Sequence, residues 1–149
     1  MTVEPLLDRI DKVTRRLQRD LECCDRALVG CCGLTVSQSN AMLALQGLGR
    51  ATMNEFAVEM RLHGTTMTRM VDALIEKGLV ERMPDAEDRR IVRVALSPAG
   101  QEMAERLQVS KRELLSSALA QIPAGEQEWL LTGLERMADL LEKLGQRCN

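Results

Sequence analysis

Apolar residues recur at steps of three and four along the first thirty or so positions, at Leu6, Ile10, Val13, Leu17, Leu21, Cys24, Leu28 and Cys31. This spacing places the apolar side chains on one side of a helix. Gly30 and Gly33 follow the stripe and predict the end of that helix. A similar stripe predicts an amphipathic helix near the other end of the chain, with Leu130, Leu134, Met137, Leu141 and Leu144 on its apolar side.

Two pairs of residues with capping-box spacing predict the start of two further helices. The first pair, Thr35 and Gln38, opens a helix that we expect to continue to residues 47–49. The second pair, Thr52 and Glu55, opens a short helix that we expect to run through Leu62.

The next helix is predicted to begin at Thr65-Thr66, after a break at residues 63–64, and to stop at Gly78. Its apolar side is predicted to consist of Met67, Met70, Val71 and Leu74. Two short helices joined by a tight turn that contains glycine are typical of a helix-turn-helix.

Two β-rich runs, residues 79–83 and 91–96, flank a polar turn at residues 84–90. They predict a two-stranded hairpin, which forms a wing at the end of the helix-turn-helix. Ser97 and Pro98 then predict the start of a long helix that reaches Pro123, because serine caps helices well and proline suits the first helical position. The expected fold is mostly α with a small β-hairpin wing, a winged helix-turn-helix.

Composition excludes some classes of protein. With 45% hydrophobic and 28% charged residues, the chain is not intrinsically disordered. One Phe, one Trp and no Tyr argue against a stacking platform for single-stranded nucleic acid. The formal net charge is −2, and residues 50–93 hold eight basic and eight acidic residues. Any binding of nucleic acid must therefore depend on where the cations lie.

The sequence predicts a cytoplasmic protein with free thiols. It has no apolar run long enough to span a membrane, and its N-terminus has no apolar signal core. Five cysteines, an odd number, argue against a disulfide scaffold. We expect no membrane partner.

Four motifs in this order resemble the MarR family of bacterial winged-helix repressors: TTMTRMVDAL (residues 65–74), KGLVER (77–82), DAEDRR (85–90) and LSPAG (96–100). The resemblance extends over essentially the whole chain. It implies a homodimer that binds a pseudo-palindromic operator in double-stranded DNA and is released by a small effector or by thiol modification. It also implies an N-terminal dimerisation helix (1–33), a winged helix-turn-helix DNA-binding region (34–97) and C-terminal dimerisation helices (98–149).

The terminal helices could cover their apolar sides against each other or against a second copy of the chain, and we expect the second arrangement. The resemblance implies that the helix beginning at Thr65-Thr66 is the recognition helix. In it, Thr65 and Arg69 point away from the expected core, with Thr66 and Thr68 beside them. Hydroxyls at a helix N-terminus suit a phosphate or a base edge. Arg69 can make a bidentate contact with guanine or with phosphate, and we expect Asp72 to orient it.

In the polar turn, Arg89 and Arg90 follow three acidic residues. Arginine can enter a narrow minor groove. By the wing motif of the family, one of the two arginines enters the groove, and we expect Arg89 there. The other is expected to pair with Asp85 or Asp88. Thr52 is either a further phosphate contact or only a helix cap.

Three interpretations of the role of the cysteines remain open. Cys24 and Cys31 can be small core residues on the apolar stripe, with Cys23 and Cys32 to either side. They can form a redox sensor, or they can hold a soft metal or metalloid, to which Cys148 of a partner could contribute. No cofactor is certain. The single histidine, His63, argues against a zinc site rich in histidine.

Two other functional classes compete with the regulator. The density of cysteines alone favours a small thiol-dependent enzyme, but no base beside the cysteines supports an activated nucleophile. A winged helix can also serve as a protein-interaction module without DNA. We therefore expect a DNA-binding regulator and no enzyme.

Overall fold

The structure, a computed structural model, describes residues 3–145. Its elements are α1 (Val3–Gly30), α2 (Val36–Leu48), β1 (Arg50–Thr52), α3 (Met53–Met60), α4 (Gly64–Glu76), β2 (Val80–Pro84), β3 (Val92–Leu96), α5 (Pro98–Leu119) and α6 (Ala124–Gly145). They belong to two units, the first ending at Lys111 and the second beginning at Arg112, within α5. None of the described helices is long and apolar enough to cross a membrane.

The helix starts follow the predicted capping residues. The hydroxyls of Thr35 and Thr52 each accept the backbone N–H three residues ahead, and the side chains of Gln38 and Glu55 bond back to the two threonine N–H groups. Both capping boxes are therefore complete. The hydroxyl of Ser97 accepts the N–H of Gly100 at 3.0 Å, which begins α5 at the predicted position.

Two helix boundaries in the centre differ from the prediction. Helix α3 ends at Met60 and excludes Leu62, because Arg61 adopts a left-handed conformation (φ 52°) that closes the last turn. Helix α4 begins at Gly64, one residue before the predicted threonine pair, with His63 as its N-cap residue.

The wing has three strands, where two were predicted. Strands β2 and β3 pair antiparallel along their whole length, from Val80 opposite Leu96 to Pro84 opposite Val92. Strand β1 adds to the free side of β3, with Ala51 opposite Val94. Three residues are too few to show the alternation that identifies a strand, so β1 could not be found in the sequence.

The core of the first unit joins the helices to this sheet. The largest fully buried side chains are Phe56, Met42, Leu45, Met67, Leu74, Val71 and Val94. They come from α2, α3, α4 and β3, so the helix-turn-helix and the base of the wing share one core. Helix α5 packs against the end of the same region, where Gly100 lies directly on the backbone of Leu79.

The long terminal helices expose most of their apolar residues. In α1, Val29 is the buried hydrophobic residue among those described, while Val13 is 64% exposed. In α6 no described residue is buried, and Trp129 is 81% exposed. Each of these helices therefore carries an apolar side that the single chain leaves open to solvent.

Candidate nucleic-acid interface

Helix α4 separates its core residues from its polar residues as the sequence predicts. Met67, Val71 and Leu74 are completely buried, and Met70 is half-buried against the same core. Thr65, Thr66, Thr68 and Arg69 are exposed. The first two turns of α4 thus present three hydroxyls and a guanidinium to solvent.

The N-terminus of α4 has no side-chain cap, because His63 makes no capping hydrogen bond. The backbone N–H groups of the first turn consequently remain open, with the partial positive charge of a helix N-terminus. Thr68 donates its hydroxyl proton to the carbonyl of Gly64 at 2.9 Å, which leaves its oxygen free to accept. A helix end of this kind favours an anion such as phosphate.

Asp72 does not orient Arg69, contrary to the sequence-based expectation. Its carboxylate accepts a hydrogen bond from Arg82 of β2 at 2.6 Å. Arg69 makes no hydrogen bond or ion pair with any residue in the range 3–145, so its guanidinium is available to a ligand. The second acidic residue of this face, Glu76, is also exposed.

The turn between β2 and β3 is held by Asp85. Its carboxylate accepts the backbone N–H groups of Glu87 (2.9 Å) and Asp88 (3.1 Å), and it forms a part-buried ion pair with Arg93. Arg93 also reaches Glu55 at 3.3 Å, which links the turn to the start of α3.

This network corrects the expectation that Arg89 or Arg90 would pair with Asp85 or Asp88. The Asp85 carboxylate is occupied by Arg93, and among the described residues the Asp88 carboxylate accepts the backbone N–H of Arg90, at 2.9 Å. The side chains of Arg89 and Arg90 are exposed and make no bond to other residues of the described chain. Both guanidinium groups therefore extend from a turn that other residues hold in place.

The same contacts lower the pKa values of two carboxyl groups. The hydrogen bond from Arg93, helped by the N–H groups of Glu87 and Asp88, lowers the pKa of Asp85 from 3.8 to about 2. The backbone N–H of Thr52 is the main cause that lowers the pKa of Glu55. Both groups are therefore charged at neutral pH, as their structural roles require.

Thr52 serves as the N-cap of α3, which is one of the two roles predicted for it. Its hydroxyl accepts the N–H of Glu55 at 3.2 Å, and its side chain is half-buried. A phosphate contact by Thr52 stays a prediction.

Sequence reasoning missed Arg82 and Arg93, the two arginines that fix this region. Their partners Asp72 and Asp85 are ten and eight residues away, so no helical spacing connects them. The signal that could have located these pairs was the antiparallel register of the hairpin, in which Met83 lies opposite Arg93.

The described cysteines lie in α1 and in the turn that follows it. Cys23 and Cys31 are exposed, while Cys24 and Cys32 are half-buried. Helix α1 ends at Gly30, so Cys31 falls in the following turn and is not a core residue of the stripe. Cys32 packs against the core instead. Cys148 lies outside the described residues.

No three Cys, His, Asp or Glu side chains within residues 3–145 are grouped so that they could hold a metal ion. A soft-metal or metalloid site with three or more such ligands is therefore not formed by the described part of a single chain.

Comparison with known proteins gives a consistent result. The MarR family model matches residues 34–92, from the turn before α2 to the start of β3. YsmB of Bacillus subtilis, an uncharacterized HTH-type transcriptional regulator, is 30% identical over 117 residues, which cover 77% of this chain and 80% of YsmB.

Two solved structures show the same fold. A probable transcriptional regulator from Pseudomonas aeruginosa is 30% identical, with a TM-score of 0.71 over 89% of this chain and 98% of that one. A mutant of MarR from E. coli, complexed with operator DNA, is 20% identical, with a TM-score of 0.73 over 92% and 99% of the two chains. With the winged helix-turn-helix and the matched region 34–92, these relatives show that the chain belongs to the MarR family of transcriptional regulators.

Proposed function

We propose that this chain is a homodimeric repressor that binds a pseudo-palindromic operator in double-stranded DNA. The observation that carries the proposal is the set of unpaired cations on the first unit. The side chains of Arg69 on α4 and of Arg89 and Arg90 on the hairpin turn are exposed and make no hydrogen bond or ion pair with the described residues, while the neighbouring Arg82 and Arg93 are engaged in ion pairs. The structure thus divides the arginines into those that support the region and those open to a ligand.

Helix α4 is the proposed recognition helix in the major groove. Its open N-terminus and the hydroxyls of Thr65, Thr66 and Thr68 suit the phosphate backbone at the edge of the groove. Arg69 lies one turn further on the same exposed side and can donate two hydrogen bonds to a guanine.

The hairpin turn is the proposed minor-groove element. Asp85 and Arg93 hold its base, so Arg89 and Arg90 need no contact with the protein to keep their position. An arginine extended from a fixed turn can follow the negative potential of a narrow minor groove.

The exposed apolar sides of α1 and α6 support a dimer. Leu134 and Leu141 of α6 are 50% and 57% exposed, and Leu6 and Leu17 of α1 are each 46% exposed. An exposed apolar side on a long helix of this kind normally marks an interface. We expect a second copy of the chain to cover it, which would present two recognition helices to the two halves of a palindrome.

Release from DNA by a small effector or by modification of thiols is part of the proposal. Exposed Cys23 and Cys31 are accessible to reagents in solution. We further propose that the chain acts in the cytoplasm and catalyses no reaction.

The test is fluorescence anisotropy with the reduced protein, a duplex from upstream of its own gene and a shuffled duplex of the same composition. We expect specific binding that weakens steeply with salt, despite the net charge of −2, because local arginines displace counterions from the phosphates. Equal affinity for both duplexes would contradict the proposal.

Two variants test which residues contact the DNA. Arg69→Ala should cost about 1–3 kcal/mol and relax the preference at one operator position. Arg89→Ala should weaken binding to all duplexes and reduce the salt slope by about one. Arg16→Ala on α1 removes the same charge from an exposed pair with Asp20 and should leave affinity unchanged. Full affinity in the Arg69 and Arg89 variants would exclude this interface.

A further inference from the structure

The two cysteines after α1 form a close pair of thiols. The Cys31 and Cys32 sulfurs are 3.6 Å apart, and both approach the carbonyl of Leu28, at 3.5 and 4.0 Å. Cys31 is exposed and Cys32 is half-buried against the core. Within residues 3–145, no sulfur contact joins the other adjacent pair, Cys23 and Cys24, which lies inside α1, where neighbouring side chains diverge.

This pair suits a bridging atom better than a disulfide. Adjacent Cα atoms across a trans peptide are about 3.8 Å apart, below the separation that disulfides usually span. A single atom bonded to both sulfurs relaxes this limit. With bonds of about 2.3 Å, the length of a zinc–thiolate bond, sulfurs 3.6 Å apart enclose an angle of about 100° at that atom.

This angle and the number of available ligands determine which kind of atom can bridge the two sulfurs. A linear two-coordinate ion with such bonds would need sulfurs about 4.6 Å apart. A tetrahedral zinc ion needs four ligands, and no third Cys, His, Asp or Glu joins the pair in the described part of the chain. A trivalent arsenic atom that carries one organic group is pyramidal and needs only two more bonds, both to soft sulfur.

We propose that Cys31 and Cys32 form a two-thiol site that captures a monosubstituted trivalent arsenical. With an arsine oxide, each thiol gives its proton to the arsenic-bound oxygen, two arsenic–sulfur bonds form, and one water leaves. No electron is transferred, so no oxidant is required.

The state of the Cys32 thiol agrees with this condensation. Burial, together with the neighbouring Cys31, raises the pKa of Cys32, so that the thiol is protonated at neutral pH. Peroxides react with the thiolate form, and a raised pKa makes Cys32 a poor peroxide sensor.

The site is linked to the proposed recognition helix. Gly33, next to the pair, accepts a hydrogen bond from the Lys77 ammonium at 2.5 Å, and Lys77 is the C-cap residue of α4. Closing a ring between residues 31 and 32 changes the turn to which α4 is attached. We therefore infer that the adduct lowers affinity for the operator, a step that rests on the proposed function.

Capture is tested by intact-mass spectrometry of the full chain treated with phenylarsine oxide. The expected product is one phenylarsenic group per chain, which a small dithiol removes and a monothiol does not. The triple variant Cys23→Ser, Cys24→Ser, Cys148→Ser should form the same adduct. Cys31→Ser and Cys32→Ala should each lose it, with circular dichroism confirming that both fold. An adduct that persists in the last two variants, or disappears in the triple variant, overturns the site.

Release is tested by adding phenylarsine oxide to the protein on its operator duplex. We expect at least a tenfold loss of affinity in the triple variant and none in Cys32→Ala. An adduct without loss of affinity overturns the link to α4 and leaves the site standing. An untreated protein that binds no duplex specifically overturns the proposed function, and the mass measurement still decides the site.

Discussion

Asp85 is the residue on which the shape of the hairpin turn depends most directly, because its carboxylate accepts two backbone N–H groups and pairs with Arg93. The polar side chains of this region therefore have two roles: some hold the turn in shape, and others are free to contact a ligand. Arg89 and Arg90 can serve as contacts because Asp85 and Arg93 fix the turn without them.

The substitution Asp85→Asn should make the free energy of unfolding depend less on pH in the acidic range. The folded pKa of about 2 lies below the ordinary value of 3.8, so the carboxylate stabilises the fold fully above pH 4 and loses this contribution as pH falls toward 2. The difference in free energy of unfolding between wild type and Asp85→Asn should therefore shrink over this range. Urea unfolding at several pH values and one protein concentration measures it.

Glu87→Gln is the matched control, since it removes a neighbouring carboxylate that makes no hydrogen bond in the described chain. Because Glu87 acts on Arg93 through its charge alone and not through a hydrogen bond, the stability difference of this variant from wild type should change less over the same range than that of Asp85→Asn. A constant difference for Asp85→Asn would show that the ion pair with Arg93 does not stabilise the turn.

At the scale of elements, local signals in the sequence were sufficient where a helix start is encoded within four residues. The capping boxes at Thr35 and Thr52 and the Ser97-Pro98 start are of this kind. Strand β1 and the pairs of Arg82 and Arg93 depend on partners from other elements, so they required the register of the sheet. The separation of α4 into buried and exposed sides followed from helical periodicity alone.

The contact between α5 and the segment that joins α4 to β2 is tight enough to test with one methyl group. A Cβ on Gly100 would lie 1.9 Å from the carbonyl oxygen of Leu79, a backbone atom that cannot move alone. Gly100→Ala should therefore destabilise the chain by about 1–3 kcal/mol or more, as overpacking does. Thermal and urea unfolding measure the loss.

Gly47→Ala provides the control for helical propensity, because a Cβ at Gly47 in α2 meets nothing within 4 Å. It should stabilise the chain by about 0.5–1 kcal/mol, since glycine weakens a helix interior. Equal stability of Gly100→Ala and wild type would show that α5 can withdraw from Leu79 at little cost.

At the scale of the whole molecule, the exposed apolar residues of α1 and α6 are the feature that a single chain leaves unexplained. Leu134→Glu places a charge on the apolar side of α6 and should raise the dimer dissociation constant at least about tenfold, since burying one leucine contributes about 1.5–3 kcal/mol. Sedimentation velocity at micromolar concentration distinguishes monomer from dimer.

Glu135→Gln, the next residue on α6, changes an exposed polar position and should leave the dimer intact. A monomeric wild type, or a Leu134→Glu variant that remains fully dimeric, would show that another partner or no partner covers α6.

The position of β3 in the sheet has a consequence for how the first unit opens. Of the three strands, β3 alone has a neighbour on both sides, with β1 opposite residues 93–95 and β2 opposite all five of its residues. Its central amide protons can reach solvent only when the strands separate, whereas those of the turn at residues 86–90 need only a local fluctuation. In hydrogen–deuterium exchange, β3 should thus be among the slowest segments, while the turn, whose Glu87, Asp88 and Arg90 amides are bonded only to side-chain carboxylates, should exchange faster although it lies only a few residues away.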